Sequence, residues 1–175
     1  MAVIDIGGGA TDRNDAHNPN HTIIDQANPA NDSGTITTIY TWFATTGANF
    51  QVGFFEEVSA DTFTTRSDQN LGSVTPGSQQ SFTGLSLAVV AGDYIGTVYT
   101  SGTIDYSTPG ATTGIWRELN QDYVPCTNQA ITDQGVGRNP SLYGEGATAA
   151  GWAGEFCGVT VAEFDGVTPA EIDGV

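Results

Sequence analysis

The stretch that decides the fold is GTITTIYTWFATTGANFQVGFFEEVS, residues 34–59. Apolar and polar side chains alternate along residues 34–46, and the apolar ones fall on both faces, which predicts a central strand with Trp42 in the core. A glycine turn at residues 46–48, followed by a second alternating run at residues 49–58, predicts that the chain reverses here into a hairpin. This stretch therefore indicates a strand-rich, antiparallel fold.

The same two-residue periodicity extends outward from this stretch. In the most regular segment, residues 73–107, Leu85, Leu87 and Val89 alternate inward, and proline and glycine residues divide the segment with turns. No helix-period pattern of useful length interrupts these strands. About eight short strands at this spacing predict an all-β domain, a two-sheet antiparallel β-sandwich of the jelly-roll type, over residues 1–152.

The charge balance restricts the partners. The chain of 175 residues carries twenty acidic residues against four arginines and no lysine, for a net charge of −16. Binding to nucleic acid or to an anionic membrane surface depends on clustered Lys and Arg, so this composition disfavours both partners. The sequence has no apolar run of about 18 residues, the length of a membrane-spanning helix, and its N-terminus lacks the basic and apolar segments of a secretory leader.

An N-terminal motif resembles that of a known family. Residues 5–12 read DIGGGATD, which resembles the phosphate-binding hairpin of the actin, Hsp70 and sugar-kinase ATPases. That hairpin continues directly into a second apolar strand, whereas the polar, proline-broken RNDAHNPNHT follows here, and the chain is too short for the two domains of that fold. We therefore expect an edge strand, residues 2–6, that leads into a flexible loop at Gly7, Gly8 and Gly9.

The C-terminal tail, residues 153–175, contains an eight-residue repeat. TVAEFDGV (160–167) and TPAEIDGV (168–175) match at six of eight positions, and each has the Thr-x-x-Glu capping box that predicts one helical turn. One turn cannot bury its own apolar face, so the apolar residues of the tail need another surface. The predicted docking residues are Val159, Phe164, Val167 and Ile172. Their own sandwich and a neighbouring subunit are both open as that surface.

Cys126 and Cys157 are the only cysteines. Neither a Cys-x-x-Cys pair nor a Cys/His zinc spacing is present. A disulfide between them would tie the main domain to the tail and is one interpretation, and two buried thiols are the other.

The segment DRNDAHNPNH, residues 12–21, holds both histidines of the chain. The carboxylates of Asp12 and Asp15, together with loop carbonyl groups, suit Ca²⁺ better than Zn²⁺. The twelve-residue calcium-loop pattern fails, however, because no glutamate closes it, and an ordinary solvated loop is the alternative. The sequence indicates no cofactor apart from this calcium ion.

No arrangement of residues predicts catalysis. A Gly-x-Ser-x-Gly elbow is absent, and Glu56 and Glu57 are adjacent on one strand, so their side chains point to opposite faces and do not form an acid/base pair. Trp116, next to Arg117, is the best candidate for an exposed aromatic surface that binds a sugar. We therefore expect that the protein is not an enzyme.

Two segments, residues 28–46 (NPANDSGTITTIYTWFATT) and 84–106 (GLSLAVVAGDYIGTVYTSGTIDY), resemble jelly-roll domains of phage and virus structural proteins, of the decoration or fibre-like kind, and of microbial surface proteins. The tail repeat resembles the short repeats of the same proteins. The resemblance implies a non-enzymatic structural protein that assembles with itself or with a capsid or surface-layer protein, in a virion or outside the cell. The missing secretory leader favours the virion. The alternative is a carbohydrate-binding or adhesin module of a larger microbial surface protein.

Overall fold

The computed structural model describes residues 3–107 and 113–148, together with the backbone of residues 155–156 and 159–160. The strands are β1 (Val3–Gly7), β2 (Asp15–His17), β3 (His21–Asp25), β4 (Gly34–Ser59), β5 (Thr62–Val74), β6 (Gln79–Val89), β7 (Tyr94–Val98), β8 (Ser101–Ser107), β9 (Gly114–Leu119), β10 (Gln129–Ala130), β11 (Asp133–Val136), β12 (Asn139–Pro140), β13 (Leu142–Thr148), β14 (Glu155–Phe156) and β15 (Val159–Thr160). The described residues include no helix, and therefore none that could cross a membrane. The predicted all-β antiparallel class is confirmed.

Strand β4 runs from Gly34 to Ser59 without a reversal, so the predicted hairpin turn at residues 46–48 is wrong. The chain continues through this point with an irregularity of the bulge type: the pairing register with β5 shifts between Gly47 and Phe50. Gly47 leaves no room for a side chain at this irregularity, since a Cβ atom here would lie 2.8 Å from the ring of Phe43. A glycine that resembled a turn residue in the sequence is in fact part of a bulged strand.

Hydrogen bonds hold β4 along most of both edges. On one edge β6 pairs with its first half and β5 with its second half, so these two strands follow β4 back along its length. On the other edge β13, β8 and β7 pair with it in succession. β1 extends the network from β13, β2 and β12 extend it from β8, and β3, β9 and β11 extend it from β7. Strands β1–β13 thus form one hydrogen-bonded network, β14 pairs only with β15, and separation into the two sheets of a jelly roll is not confirmed.

Two apolar clusters form the core. The larger one packs β4 against β1, β7 and β13, and its fully buried members include Ile4, Ile6, Ile36, Ile39, Phe43, Phe50, Val52, Phe54, Ile95 and Leu142. The smaller one joins β4, β5 and β9 to the segments on either side of β10 and includes Phe55, Phe63, Trp116, Val124 and Ile131. Because Phe54 and Phe55 are consecutive in a strand, their side chains lie on opposite faces, and β4 is covered on both. This confirms that β4 is a central strand.

The structure corrects the predicted burial of both Trp42 and Trp116. Trp116 is only 7 % exposed and belongs to the core, so the prediction of an exposed aromatic surface at this residue is wrong. Its indole Nε1 donates a hydrogen bond to Asp61 Oδ1 at 2.6 Å. Trp42 is half-buried, because a bulge between Ile36 and Thr38 shifts the alternation of β4 and turns Trp42 outward.

The tail is described only at two short strands. The backbone of Glu155–Phe156 pairs antiparallel with that of Val159–Thr160. The side chain of Val159, the docking residues Phe164, Val167 and Ile172, and Cys157 lie outside the described residues. The boundary between a domain at residues 1–152 and a tail at residues 153–175 stays a prediction.

Candidate functional site

An open pocket of about 530 Å³ lies where the loop after β1 meets β2, β4 and β8. Trp42 and Ala44 of β4 form its apolar part. Its polar part is formed by Asp12, Arg13, Asn14, Asp15 and Asp105. The pocket therefore combines one half-buried aromatic ring with carboxylate, amide and guanidinium groups.

Arg13 fixes the wall of this pocket. Its Nε donates a hydrogen bond to Ser141 Oγ at 2.8 Å, and its Nη1 donates to Ser107 Oγ at 3.2 Å. Its Nη2 donates to the backbone oxygens of Gly8 and Gly9, at 2.8 Å in each case. The guanidinium group thus ties the loop after β1 to β8 and to the start of β13, and its main role is to position the pocket.

Hydrogen bonds fix the backbone of the glycine loop at Gly7 and Gly8, so the flexible loop expected from the sequence is not observed. The backbone N–H of Gly7 donates to Asn28 O at 2.9 Å, and that of Gly8 donates to Asp25 Oδ2 at 2.9 Å. A phosphate-binding hairpin uses backbone N–H groups of this kind for its ligand. Two of these groups are engaged within the fold here, which separates this loop from that of the ATPases.

Asp25 is the buried acceptor below this loop. Its side chain is inaccessible to solvent, and its Oδ1 also accepts a hydrogen bond from the backbone N–H of Ala27 at 2.9 Å. Burial raises the pKa of Asp25 to about 7, although the hydrogen bonds from Ala27 and Gly8 and the charge of Arg13 act in the opposite direction. Near neutral pH this carboxyl group is therefore a mixture of charged and neutral forms.

The predicted calcium ligands Asp12 and Asp15 both line the pocket. Asp105 lies beside them, is 3 % exposed, and accepts a hydrogen bond from the backbone N–H of Arg13 at 3.3 Å. Burial raises the pKa of Asp105, and the charge of Asp12 raises it further. Over the described ranges no group of three or more His, Cys, Asp or Glu residues is arranged to hold a metal ion. Calcium binding at Asp12 and Asp15 stays a prediction.

Arg117, the predicted neighbour of an exposed aromatic surface, lies instead in a cluster with both histidines. Its Nη2 donates a hydrogen bond to Gln134 Oε1 at 2.9 Å. The charges of Arg117 and Arg138 both act on the imidazole of His17. We call His17, His21, Arg117 and Arg138 the basic cluster.

Cys126 is half-buried between β5 and the segment before β10. Its thiol donates a hydrogen bond to Phe63 O at 3.6 Å, and burial raises its pKa. Because Cys157 lies outside the described residues, the pairing of these two cysteines stays a prediction.

Sequence reasoning missed the main contributors to the pocket. Trp42 was hidden because no residue pattern marks the bulge that turns it outward. Asp105 and Ser141 are separated from Arg13 by 92 and 128 positions, so no local signal connects them.

Comparison of the chain with protein-family models, with curated proteins and with solved structures finds no match. The fold and the site define the class: an all-β antiparallel domain with an open pocket that joins an aromatic ring to polar and charged groups.

Proposed function

We propose that this protein is a non-enzymatic structural subunit that assembles with copies of itself, or with a capsid or surface-layer protein, in a virion or outside the cell. The observation that carries the proposal is the pair of apolar and acidic octapeptides at residues 160–175. They follow a domain whose two apolar clusters draw on residues from Ile4 to Leu142. The domain thus has a core of its own, and the apolar residues of the octapeptides require a further surface.

The net charge of the chain also supports assembly through the apolar residues of the tail. A net charge of −16 makes copies of the protein repel one another, so adhesion between them must come from apolar contacts. Salt screens this repulsion over about 8 Å at physiological ionic strength. Assembly through the tail is therefore expected to strengthen as the salt concentration rises.

Removal of residues 159–175 tests the proposal. We expect the truncated protein to keep its strand-type circular dichroism spectrum and its urea midpoint, and to sediment as a monomer where the full chain forms ordered assemblies in electron micrographs. Assemblies that form normally without these residues would refute the proposal.

A pair of full-length variants separates apolar docking from a general effect of altering the tail. Phe164→Ser combined with Ile172→Ser should abolish assembly, because both docking side chains become polar. Ala162→Ser combined with Ala170→Ser is the matched control at equivalent positions of the two octapeptides, and it should assemble normally.

A carbohydrate-binding or adhesin module is the second candidate, and the pocket around Trp42 favours it. A half-buried indole ring beside Asp12 and Asn14 can stack on a sugar ring while the polar groups hydrogen bond to its hydroxyls. On a glycan array, Trp42→Ala should abolish binding and Trp42→Phe should retain part of it, and a chelator would reveal any dependence on calcium. An array on which the wild-type protein binds no sugar would rule out this candidate.

A further inference from the structure

The basic cluster gathers four of the six basic side chains of a strongly acidic chain. Both histidines and two of the four arginines belong to it, on strands β2, β3 and β9 and at the residue before β12. The rings of His17 and His21 are perpendicular, with centroids 6.1 Å apart. The charge of Arg138 lowers the pKa of Arg117, after the larger effect of burial, which indicates that the two guanidinium groups lie close together.

The two arginines of the cluster are joined through a neutral residue. Arg117 Nη2 donates to the side-chain oxygen of Gln134, and Arg138 Nη1 donates to its backbone oxygen at 3.0 Å. Across the described part of the chain, ion pairs are formed only by Arg66. Two neighbouring cations without a carboxylate partner are unfavourable in a chain with twenty acidic residues, unless an anion compensates them.

Buried nitrogen atoms in the cluster support this reasoning independently. His17 Nε2, His21 Nδ1 and Arg117 Nε are buried and have no hydrogen-bond partner among the described residues. The side chain of His17 is almost entirely enclosed, with 5 % of the residue exposed. The Arg Nε group is always a donor, and an imidazole nitrogen donates in one tautomer and in the charged form. The cluster thus offers hydrogen-bond donors that lack an oxygen acceptor.

The surrounding charges select an anion over a metal cation. Burial, followed by the charges of Arg117, His21 and Arg138, lowers the pKa of His17 to about 4, so the site already disfavours one additional positive charge. The carboxylate of Asp15 acts in the opposite direction on His17, and it also hydrogen bonds to Tyr106, whose ring lies 4.8 Å from that of His17.

We propose that His17, His21, Arg117 and Arg138 form a binding site for an oxyanion, that is, for the sulfate, phosphate or carboxylate group of a ligand. Arg117, Arg138 and His21 are only half-buried, so the anion can reach the cluster from solvent. The arginines supply charge-assisted hydrogen bonds, and the enclosed imidazole of His17 lines the inner side. The site is distinct from the Trp42 pocket and does not depend on assembly through the tail.

The histidine ring signals in an NMR spectrum report directly on this site, because the chain contains only two histidines. His17→Gln and His21→Gln assign the two sets of signals. Sodium sulfate, phosphate and acetate are titrated into the full-length protein, with sodium chloride at equal ionic strength as the control. We expect a saturable shift of both histidines with at least one oxyanion and no such shift with chloride. Equal responses to chloride and to all three oxyanions would overturn the proposal.

Variants then test which groups hold the anion. Arg138→Gln and Arg117→Gln should each weaken binding by about tenfold or more, since each removes a charge-assisted hydrogen bond. Ser86→Asp is the control: it changes the net charge by the same amount on an exposed position of β6, which pairs with none of the strands of the cluster, and it should alter affinity by less than about twofold. Arg138→Lys keeps the charge and confirms that a weakened site is still folded. Unchanged affinity in both glutamine variants would refute the assignment.

The source of the anion is resolved by comparing acetate with glucuronate and glucose. Tighter binding of glucuronate than of acetate, with no binding of glucose at the histidine signals, assigns the oxyanion to an acidic sugar. Equal binding of glucuronate and acetate assigns the site to small free anions. Both results support an oxyanion site, whereas binding of glucose alone would contradict it.

Discussion

Asp25 provides a direct test of the electrostatics inside the fold. Its carboxyl group is enclosed below the glycine loop, and burial raises its pKa from the ordinary 3.8 to about 7. The folded protein therefore keeps a proton on Asp25 over a pH range in which the unfolded chain has lost it. The stability that Asp25 contributes is complete below pH 3.8 and is lost as the pH rises through about 7.

The two pKa values give the size of the effect. Between pH 5 and pH 8 they predict that ionisation of Asp25 lowers the free energy of unfolding by roughly 2.5 kcal/mol. Asp25→Asn removes this titration but leaves one backbone N–H below the loop without a good acceptor, which costs about 1–3 kcal/mol. At pH 5 the variant should therefore be the less stable protein, and at pH 8 its disadvantage should shrink by about 2.5 kcal/mol or reverse.

The wild-type protein must be compared with Asp25→Asn at each pH, because titration of His17 changes the free energy of unfolding in the opposite direction. Burial, with a further effect of Arg117, lowers the pKa of His17 from 6.5 to about 4, so its contribution to stability increases as the pH rises between these values. His17 is present in both proteins, and its effect cancels in the difference as long as the two sites act independently.

Urea unfolding followed by tryptophan fluorescence at pH 5, 6, 7 and 8 measures this difference. A constant difference between wild type and Asp25→Asn across the series would refute a raised pKa at Asp25. A difference that grows with pH would show that the hydrogen bonds and Arg13 outweigh burial and that the carboxylate is the favoured form.

Two further predictions rest on matched pairs of substitutions. Arg66 contacts the buried Asp93 through two nitrogens, at 2.5 and 3.1 Å, and the exposed Glu56 through one, at 3.2 Å. Asp93→Asn should therefore lower the free energy of unfolding by roughly 2–4 kcal/mol and Glu56→Gln by less than about 0.5 kcal/mol, and equal effects in a urea series would contradict the role of burial. Gly7 and Gly72 both have positive φ angles, +91° and +84°, but a Cβ atom at Gly7 would lie 2.5 Å from a backbone oxygen of β13, whereas at Gly72 it meets open space. Gly7→Ala should cost about 3 kcal/mol and Gly72→Ala about 1 kcal/mol in thermal unfolding, and similar losses at the two sites would show that strain alone decides.

The sequence predicts the fold class and several strands because alternation is a local property. Leu87 and Val89 point inward as their spacing predicts, and the turn at residues 91–93 lies where glycine indicates it. The wrong predictions of the hairpin and of a buried Trp42 have one physical origin, namely irregularities within β4. Gly47 is typical of a turn and also of a bulge, and only the strands on either side, which lie far away in the sequence, determine which of the two forms.

The candidate sites are less accessible to sequence reasoning than the fold. The sequence marks the acidic and histidine-containing segment, residues 12–21, as a candidate calcium site, and this segment supplies residues to both the Trp42 pocket and the basic cluster. Its partners Asp105 and Arg138 come from strands and loops that only the completed network brings near. Which residues meet in a β fold depends on strand order, and strand order has no local signature.

The central strand β4 also bears on how the domain unfolds. It pairs with β5, β6, β7, β8 and β13, so displacement of β4 removes hydrogen bonds from five strands at once. Its hydrogen-bonded backbone amides should therefore exchange with deuterium with a common free energy of opening, close to that of global unfolding. We therefore expect the five strands that pair with β4 to unfold together with it, in one cooperative step.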